Sequence, residues 1–210
     1  GVVFRSRNRW IISPRLEAAA VPPSVTGLVA ARIDELDADS RRFLQAAAVV
    51  GGAFDPEVVR RIASLQVDLE WVVSQVLDRR MLVADGERPS RLRFVHETYR
   101  TVAADGLPAK EKALLHMRAG QYLEETSDLR DPRALQAAAF HLGNGPDHEK
   151  AARFLLMAAR RLVDVHQVDS AIGLLEKLIQ VAAPLGYANY EASRCENELD
   201  EGLYHLGMLY

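Results

Sequence analysis

Apolar positions recur every three or four residues over most of the chain, the period of a helix with one buried face. Val25, Leu28, Val29 and Leu36 set the first such stripe. Ser24 stands before it with a side-chain oxygen able to cap the free amides of a helix start. Phe43, Ala47 and Val50 share a second face. Gly51-Gly52 should end that helix, because glycine enters the left-handed cap conformation without strain. Asp55-Pro56-Glu57 has the order of a third start: a capping Asp, Pro at the first helical position, an acid in the first turn. Val58, Val59 and Ile62 make its apolar side. Asp68 precedes a fourth stripe of Leu69, Val72, Val73, Val76 and Leu77.

After Arg80 the period changes. Met81-Leu82-Val83-Ala84 is a short apolar run, and Asp85-Gly86-Glu87-Arg88-Pro89-Ser90 is turn chemistry. Arg91-Leu92-Arg93-Phe94-Val95 alternates, with Leu92 and Phe94 on one side, so the stretch 81–95 reads as a β-hairpin. Helices followed by a hairpin are the segment order of a winged helix.

From His96 onward the pattern is helical again. Faces are set by Leu135, Ala138, Ala139 and Leu142, by Leu155, Ala158, Ala159 and Leu162, and by Ile172, Leu175 and Ile179. Asp131-Pro132 and Asp169 mark starts, and Gly143-Asn144-Gly145-Pro146 and Pro184-Leu185-Gly186 mark breaks. Paired helices with small residues at their contacts point to a solenoid. In the roughly 34-residue tetratricopeptide frame, Ala159 and Ala171 fall on the small positions and Leu162 and Leu175 on the large ones. Pro184 comes one residue late. The segment is therefore tetratricopeptide-like.

The first residues differ from all this. Arg5, Arg7, Arg9 and Arg15 precede the first acid, Glu17, and Pro14, Pro22 and Pro23 punctuate the run. It reads as a basic connector with one short strand around Arg9–Ile12. The chain opens on Gly1 rather than Met and closes at Tyr210 within a helical pattern (Leu199, Leu203, Leu206), from which we expect a piece of a longer protein. The expected organisation is a connector at 1–23, a winged-helix domain at 24–107 and tetratricopeptide-like repeats at 108–210. The expected fold is mostly α, with one small hairpin.

Composition narrows the function. With 210 residues, 49% hydrophobic and 26% charged, the chain can bury enough apolar surface to offset its ordering entropy. A net charge of -3 and a pI near 6.1 argue against a mainly electrostatic nucleic-acid binder. The single cysteine, Cys195, excludes an internal disulfide framework and a thiolate zinc site, and a reducing, cytoplasmic location is expected. No apolar run approaches the roughly 20 residues that cross a bilayer.

Catalytic motifs are lacking. Val49-Val50-Gly51-Gly52 has glycines but no lysine behind them, so it is a helix end rather than a phosphate loop. The six histidines are His96, His116, His141, His148, His166 and His205. None forms H-E-x-x-H, and His141 and His148 straddle a Gly/Pro loop. We expect no metal site and no catalytic residue here. For DNA readout the relevant helix would be Leu69 to Arg80. It offers mainly Gln75, Arg79 and Arg80 against Glu70 and Asp78. The hairpin's Arg88, Arg91 and Arg93 are offset by Asp85 and Glu87.

Several segments, taken in order, resemble a known family. They are Val21-Pro22-Pro23-Ser24-Val25, Ala31-Arg32-Ile33-Asp34-Glu35-Leu36, Phe43 to Gly51, Phe54, and Leu92-Arg93-Phe94-Val95-His96. This is similar to the stretch after the ATPase core in signal-transduction ATPases with numerous domains (STAND), of the AAA type linked to adenylate/guanylate cyclases or the large LuxR-type regulators. The resemblance runs from about Trp10 to Ala183 and is densest between Val21 and Arg100. It implies a winged helix followed by tetratricopeptide-like helices, with the ATP-binding motifs upstream. No cofactor is expected in these residues, and ATP or ADP with Mg²⁺ in the parent. The resemblance also implies a nucleotide-sensing role for His96, which in such ATPases touches the bound phosphates at the start of the helix after the wing. Tyr99 and Arg100 match that context; Glu97 stands where relatives have Asp, and Val95 where they have Met. A histidine beside a phosphate donates a charge-assisted hydrogen bond. The plain alternative is that His96 caps or packs at the hairpin–helix junction.

The expectation is a non-catalytic regulatory region of an ATP-dependent signalling protein. Its partners would be the upstream ATPase domain and a protein or small effector on the repeats, with self-association through exposed apolar faces. The alternative is a DNA-binding winged-helix transcriptional regulator. An independent enzyme is the third option, one that ATP turnover by these residues alone would favour.

Overall fold

A computed structural model describes residues 3–6, 9–12 and 23–183. Two short strands open it, β1 (Val3–Ser6) and β2 (Arg9–Ile12), paired antiparallel with Val3 opposite Ile12. The expected strand at Arg9–Ile12 is present, and it has a partner that the sequence pattern did not signal. Helices α1 (Pro23–Asp34), α2 (Ala38–Val50), α3 (Pro56–Ala63) and α4 (Leu69–Asp78) follow. α1 begins at Pro23, so Ser24 lies inside its first turn instead of capping it. The two strands of a second antiparallel pair, β3 (Leu82–Ala84) and β4 (Leu92–Phe94), precede α5 (Glu97–Asp105). The remainder is helical: α6 (Ala109–Thr126), α7 (Pro132–Gly143), α8 (His148–Asp164) and α9 (Val168–Ala182). Among the described residues the protein is thus mostly helical, with small two-stranded antiparallel sheets. The break at Pro184-Leu185-Gly186, Cys195, His205 and the pattern at Leu199, Leu203 and Leu206 lie outside the described residues.

Acidic caps start many of these helices. Asp37 accepts from the amides of Asp39 and Ser40, and the Ser40 hydroxyl bonds it as well; together they hold its carboxyl below the usual range. Asp55, Asp68, Asp131 and Asp147 accept from the amides of Glu57, Trp71, Arg133 and Lys150. Each satisfies an amide that the helix itself leaves unpaired.

Two apolar clusters hold the chain together. The first gathers α1 to α5 and the hairpin around Phe43, Leu44, Val59, Val72, Val76, Met81 and Leu82, each at most 1% exposed. Phe54 sits between Phe43 and Phe94, with ring centroids 6.5 and 6.3 Å away. Leu92 and Phe94 point into this core, and Arg93 between them points out, as the alternation requires. An isolated bridge ties Phe54 to Leu92: each donates its amide to the other's carbonyl, at 2.9 and 2.8 Å. Arg32 of α1 donates to the Arg79 carbonyl at 2.7 Å and to the Tyr99 hydroxyl, tying α1 to α4 and α5.

The second cluster belongs to α7, α8 and α9, with Leu123 of α6 packed against it. Ala138, Ala139, Ala151, Ala152, Ala158 and Ala159 are buried alongside Leu142, Leu155, Leu175 and Leu178. Small side chains let helix axes come close. At Gly120 on α6 an added Cβ would lie 2.7 Å from Leu142 Cγ and 3.1 Å from the Leu142 amide nitrogen. Lys150 and Glu124 form an ion pair at 2.5 Å from α8 to α6. α6 also packs on α2 and α3, where Arg118 donates to the Ile62 carbonyl at 3.3 Å, and so joins the two clusters.

Candidate functional site

His96 lies at the junction between β4 and α5. The Val95 amide donates to the Met81 carbonyl at 3.1 Å, which fixes the end of the hairpin. His96 itself is the residue before α5, with extended backbone, and its carbonyl accepts from the Tyr99 amide at 3.1 Å. Its imidazole is exposed and makes no capping hydrogen bond. One turn later Tyr99 is buried against the first core and Arg100 reaches back to the Ala48 carbonyl at 3.4 Å. Arg100 also pairs with Glu97, an arrangement that lowers the carboxyl and raises the guanidinium through their shared hydrogen bond. The sequence motif thus becomes a fixed helix start that presents an exposed imidazole, with a cation one turn behind. Hydrogen bonding to an anion is the chemistry such a group offers.

The groups that would read DNA are differently placed. Gln75 accepts from Arg79 at 2.6 Å along α4, and Arg79 also donates to the Gln75 carbonyl at 3.3 Å. Trp71 is an exposed apolar side chain on that helix, at 58%. Arg80 is exposed, with left-handed backbone at φ 53. On the hairpin, Arg88 and Arg93 are exposed together with Glu87. Gly51 ends α2 with φ 71, its amide on the Ala47 carbonyl at 2.9 Å, which is the helix-ending use expected of that glycine pair.

The structure also brings together residues that sequence reasoning did not pair. His116 of α6 and His141 of α7 are both buried and face each other Nδ1 to Nδ1 at 3.1 Å. One must donate and the other accept, so at least the accepting ring is neutral when the bond is made. Burial lowers His116 to about 4, helped by His141, Lys112 and Lys177, and burial alone lowers His141 to about 4. Phe140 packs edge-on against both rings. A signal existed. His116 falls in step with Ala119, Gly120 and Leu123, and His141 with Ala138 and Leu142. A histidine on an apolar stripe is a candidate for burial.

A groove of about 390 Å³ lies between α3, the hairpin and α6–α7, with His141 in its wall. Asp55 and Arg91 also line it. Among the described residues, no group of three or more His, Cys, Asp or Glu side chains is gathered as for a metal ion, and no helix is long and apolar enough to cross a membrane. No protein-family model, no curated protein and no solved structure matches the chain.

Proposed function

We propose that these residues form a non-catalytic regulatory region of a multidomain, cytoplasmic, ATP-dependent signalling protein of the STAND type. In this reading α1–α5 and the hairpin are the winged helix that follows a nucleotide-binding core, and α6–α9 begin a tetratricopeptide-like array. The observation that carries it is His96: an exposed imidazole at a helix start held rigidly by the hairpin and by Tyr99. In this reading the imidazole would bond the phosphate of a nucleotide held by a neighbouring domain, and the winged helix would move as a rigid body when that phosphate changes. ATP or ADP with Mg²⁺ belongs to that neighbouring domain.

The array supplies surface for a protein partner or effector. Phe140 is 54% exposed and Met157 is 48% exposed, and both lie on its helices. The same exposed apolar side chains favour self-association of the isolated region.

The test is His96→Ala in the parent protein. Weaker ADP binding with raised basal output is expected; unchanged ADP affinity and output would overturn the reading. The rival DNA-binding regulator draws less support, because Gln75 and Arg79 are bonded to each other and the net charge is negative. Salt-dependent binding of duplex DNA by this chain would reinstate it.

A further inference from the structure

The groove between the two apolar clusters has a feature that its position alone does not require. Phe54 and Leu92 form an antiparallel bridge. One step along that register, Asp55 stands across from Arg91. Successive residues of extended chain point to opposite faces. Phe54 and Leu92 face the core, at 2% and 5% exposed, so Asp55 and Arg91 face away from it. Both line the groove, and among the described residues no other Asp, Glu, Lys or Arg does. Opposite charges at adjacent cross-strand positions ordinarily pair. These two form no ion pair with each other. Arg91 is half-buried, and among the described residues its guanidinium has no hydrogen-bond or ion-pair partner. Asp55 caps α3 with one carboxylate oxygen, accepting from the Glu57 amide at 2.8 Å.

Beside this divided pair one wall of the groove is apolar and made hollow by small residues, while Tyr122, Thr126 and Ser127 bring hydroxyls to its α6 end. Val58 and Ile62 contribute from α3, Ala119 and Leu123 from α6, and Ala137 from α7. His141 adds a polar edge without charge, since burial keeps it neutral near pH 7. A volume of about 390 Å³ is at the small end of ligand sites, which span roughly 300–1,000 Å³. A ligand matching all of this carries an anion and a cation side by side and an apolar body next to them.

We propose that this groove binds a free α-amino acid with an apolar side chain, its carboxylate on Arg91, its ammonium on Asp55 and its side chain between α3, α6 and α7. Guanidinium–carboxylate bonding is directional and can be bidentate, which orients the ligand. Because its walls come from both clusters, an occupied groove would link the hairpin region to the array. The inference deepens the regulatory reading by naming the effector class, and it rests on that reading for the consequence of binding but not for binding itself.

Isothermal titration of the chain with L-leucine and L-phenylalanine tests it. Saturable one-to-one binding is expected. 4-Methylpentanoate, which lacks the ammonium, and 3-methylbutylamine, which lacks the carboxylate, should each bind L-leucine's site at least about tenfold more weakly. Arg91→Ala and Asp55→Asn should each cost at least about tenfold in L-leucine affinity. Asn keeps the helix cap, so a Tm close to the parent's shows that the charge and not the fold was removed. Ala137→Trp fills the hollow and should abolish binding. No saturable binding of either amino acid, equal binding to Arg91→Ala, or equal binding of 4-methylpentanoate would overturn the proposal. Intact leucine binding with no His96→Ala effect on ADP would strike the regulatory reading alone. An intact His96 effect with no leucine binding would strike this site alone.

Discussion

The hairpin region and the helical array are both held by apolar burial, but they are built over different distances along the chain. In the hairpin region the contacts are long-range. Phe54 bridges Leu92, Arg32 reaches Arg79 and Tyr99, and Arg100 reaches Ala48. Its core is centred on large rings, Phe43, Phe54 and Phe94. In the array each helix packs chiefly on the next one, α6 on α7, α7 on α8 and α8 on α9, through alanines and one glycine. A structure whose elements all share one core is lost as a unit, whereas stacked neighbours open by steps. The lesson is that side-chain size follows topology here. Convergence of five helices and a hairpin leaves space for aromatic rings, and close stacking of successive helices demands small side chains.

The largest expected effect tests the first half of that comparison. Phe43→Ala removes a fully buried ring and should cost about 3–5 kcal/mol. In hydrogen exchange, protection of α2, α5 and both hairpin strands should fall together while α8 and α9 keep theirs. Loss confined to α2 would break the idea of a single shared core.

Acid should act on the array instead. The ordinary histidine value is 6.5, and His116 and His141 are lowered to about 4. As pH falls, the unfolded chain takes up protons before the folded one. The histidines' contribution is therefore full above about 6.5, declines as pH falls to about 4, and changes no further below that. The two act as one coupled pair, so the decline belongs to both together. Denaturant titrations at a series of pH values measure it, and the double variant His116→Leu/His141→Leu should flatten the profile over this window.

Two glycine substitutions sharpen the point about small residues. Gly120→Ala drives a Cβ to within 2.7 Å of Leu142 Cγ and close to its backbone nitrogen. Overpacking costs about 1–3 kcal/mol, which outweighs a helix-propensity gain of about 1 kcal/mol. A lower denaturation midpoint is expected. Gly173→Ala is the opposite case and the smallest effect. It lies on the exposed side of α9, where an added Cβ meets nothing within 4 Å. Only the propensity gain remains, and stability should rise by up to about 1 kcal/mol. If both glycines behave alike, close packing of α6 on α7 is not what selects Gly120.

Much of this was legible in the chain. Asp55-Pro56 and Asp131-Pro132 start helices where expected, Asp68 caps α4, and the alternation at Leu92 and Phe94 becomes a strand with both residues buried. These are local signals, written in neighbouring residues. Other features had none. α3, α4 and α8 end at Ser64, Arg80 and His166 with left-handed backbone at φ 51, 53 and 61. No glycine marks them. The amides that follow close on Arg60, Val76 and Leu162, and those bonds hold the turn despite the steric cost. Val58, expected on the buried side of α3, is only half-buried because that edge of the helix lines the groove.

The sequence by itself determined that the chain is mostly helical, the starts at Asp55, Asp68 and Asp131, and the hairpin at 81–95 with its core-facing side, because period, caps and turn residues act over a few positions. Only the tertiary structure decided that His116 meets His141, that Phe54 bridges Leu92, and that Asp55 and Arg91 face one groove. Those pairs lie 25 to 38 residues apart. Periodicity indicates which face is buried, but the partner of that face is chosen by how the elements fill space together.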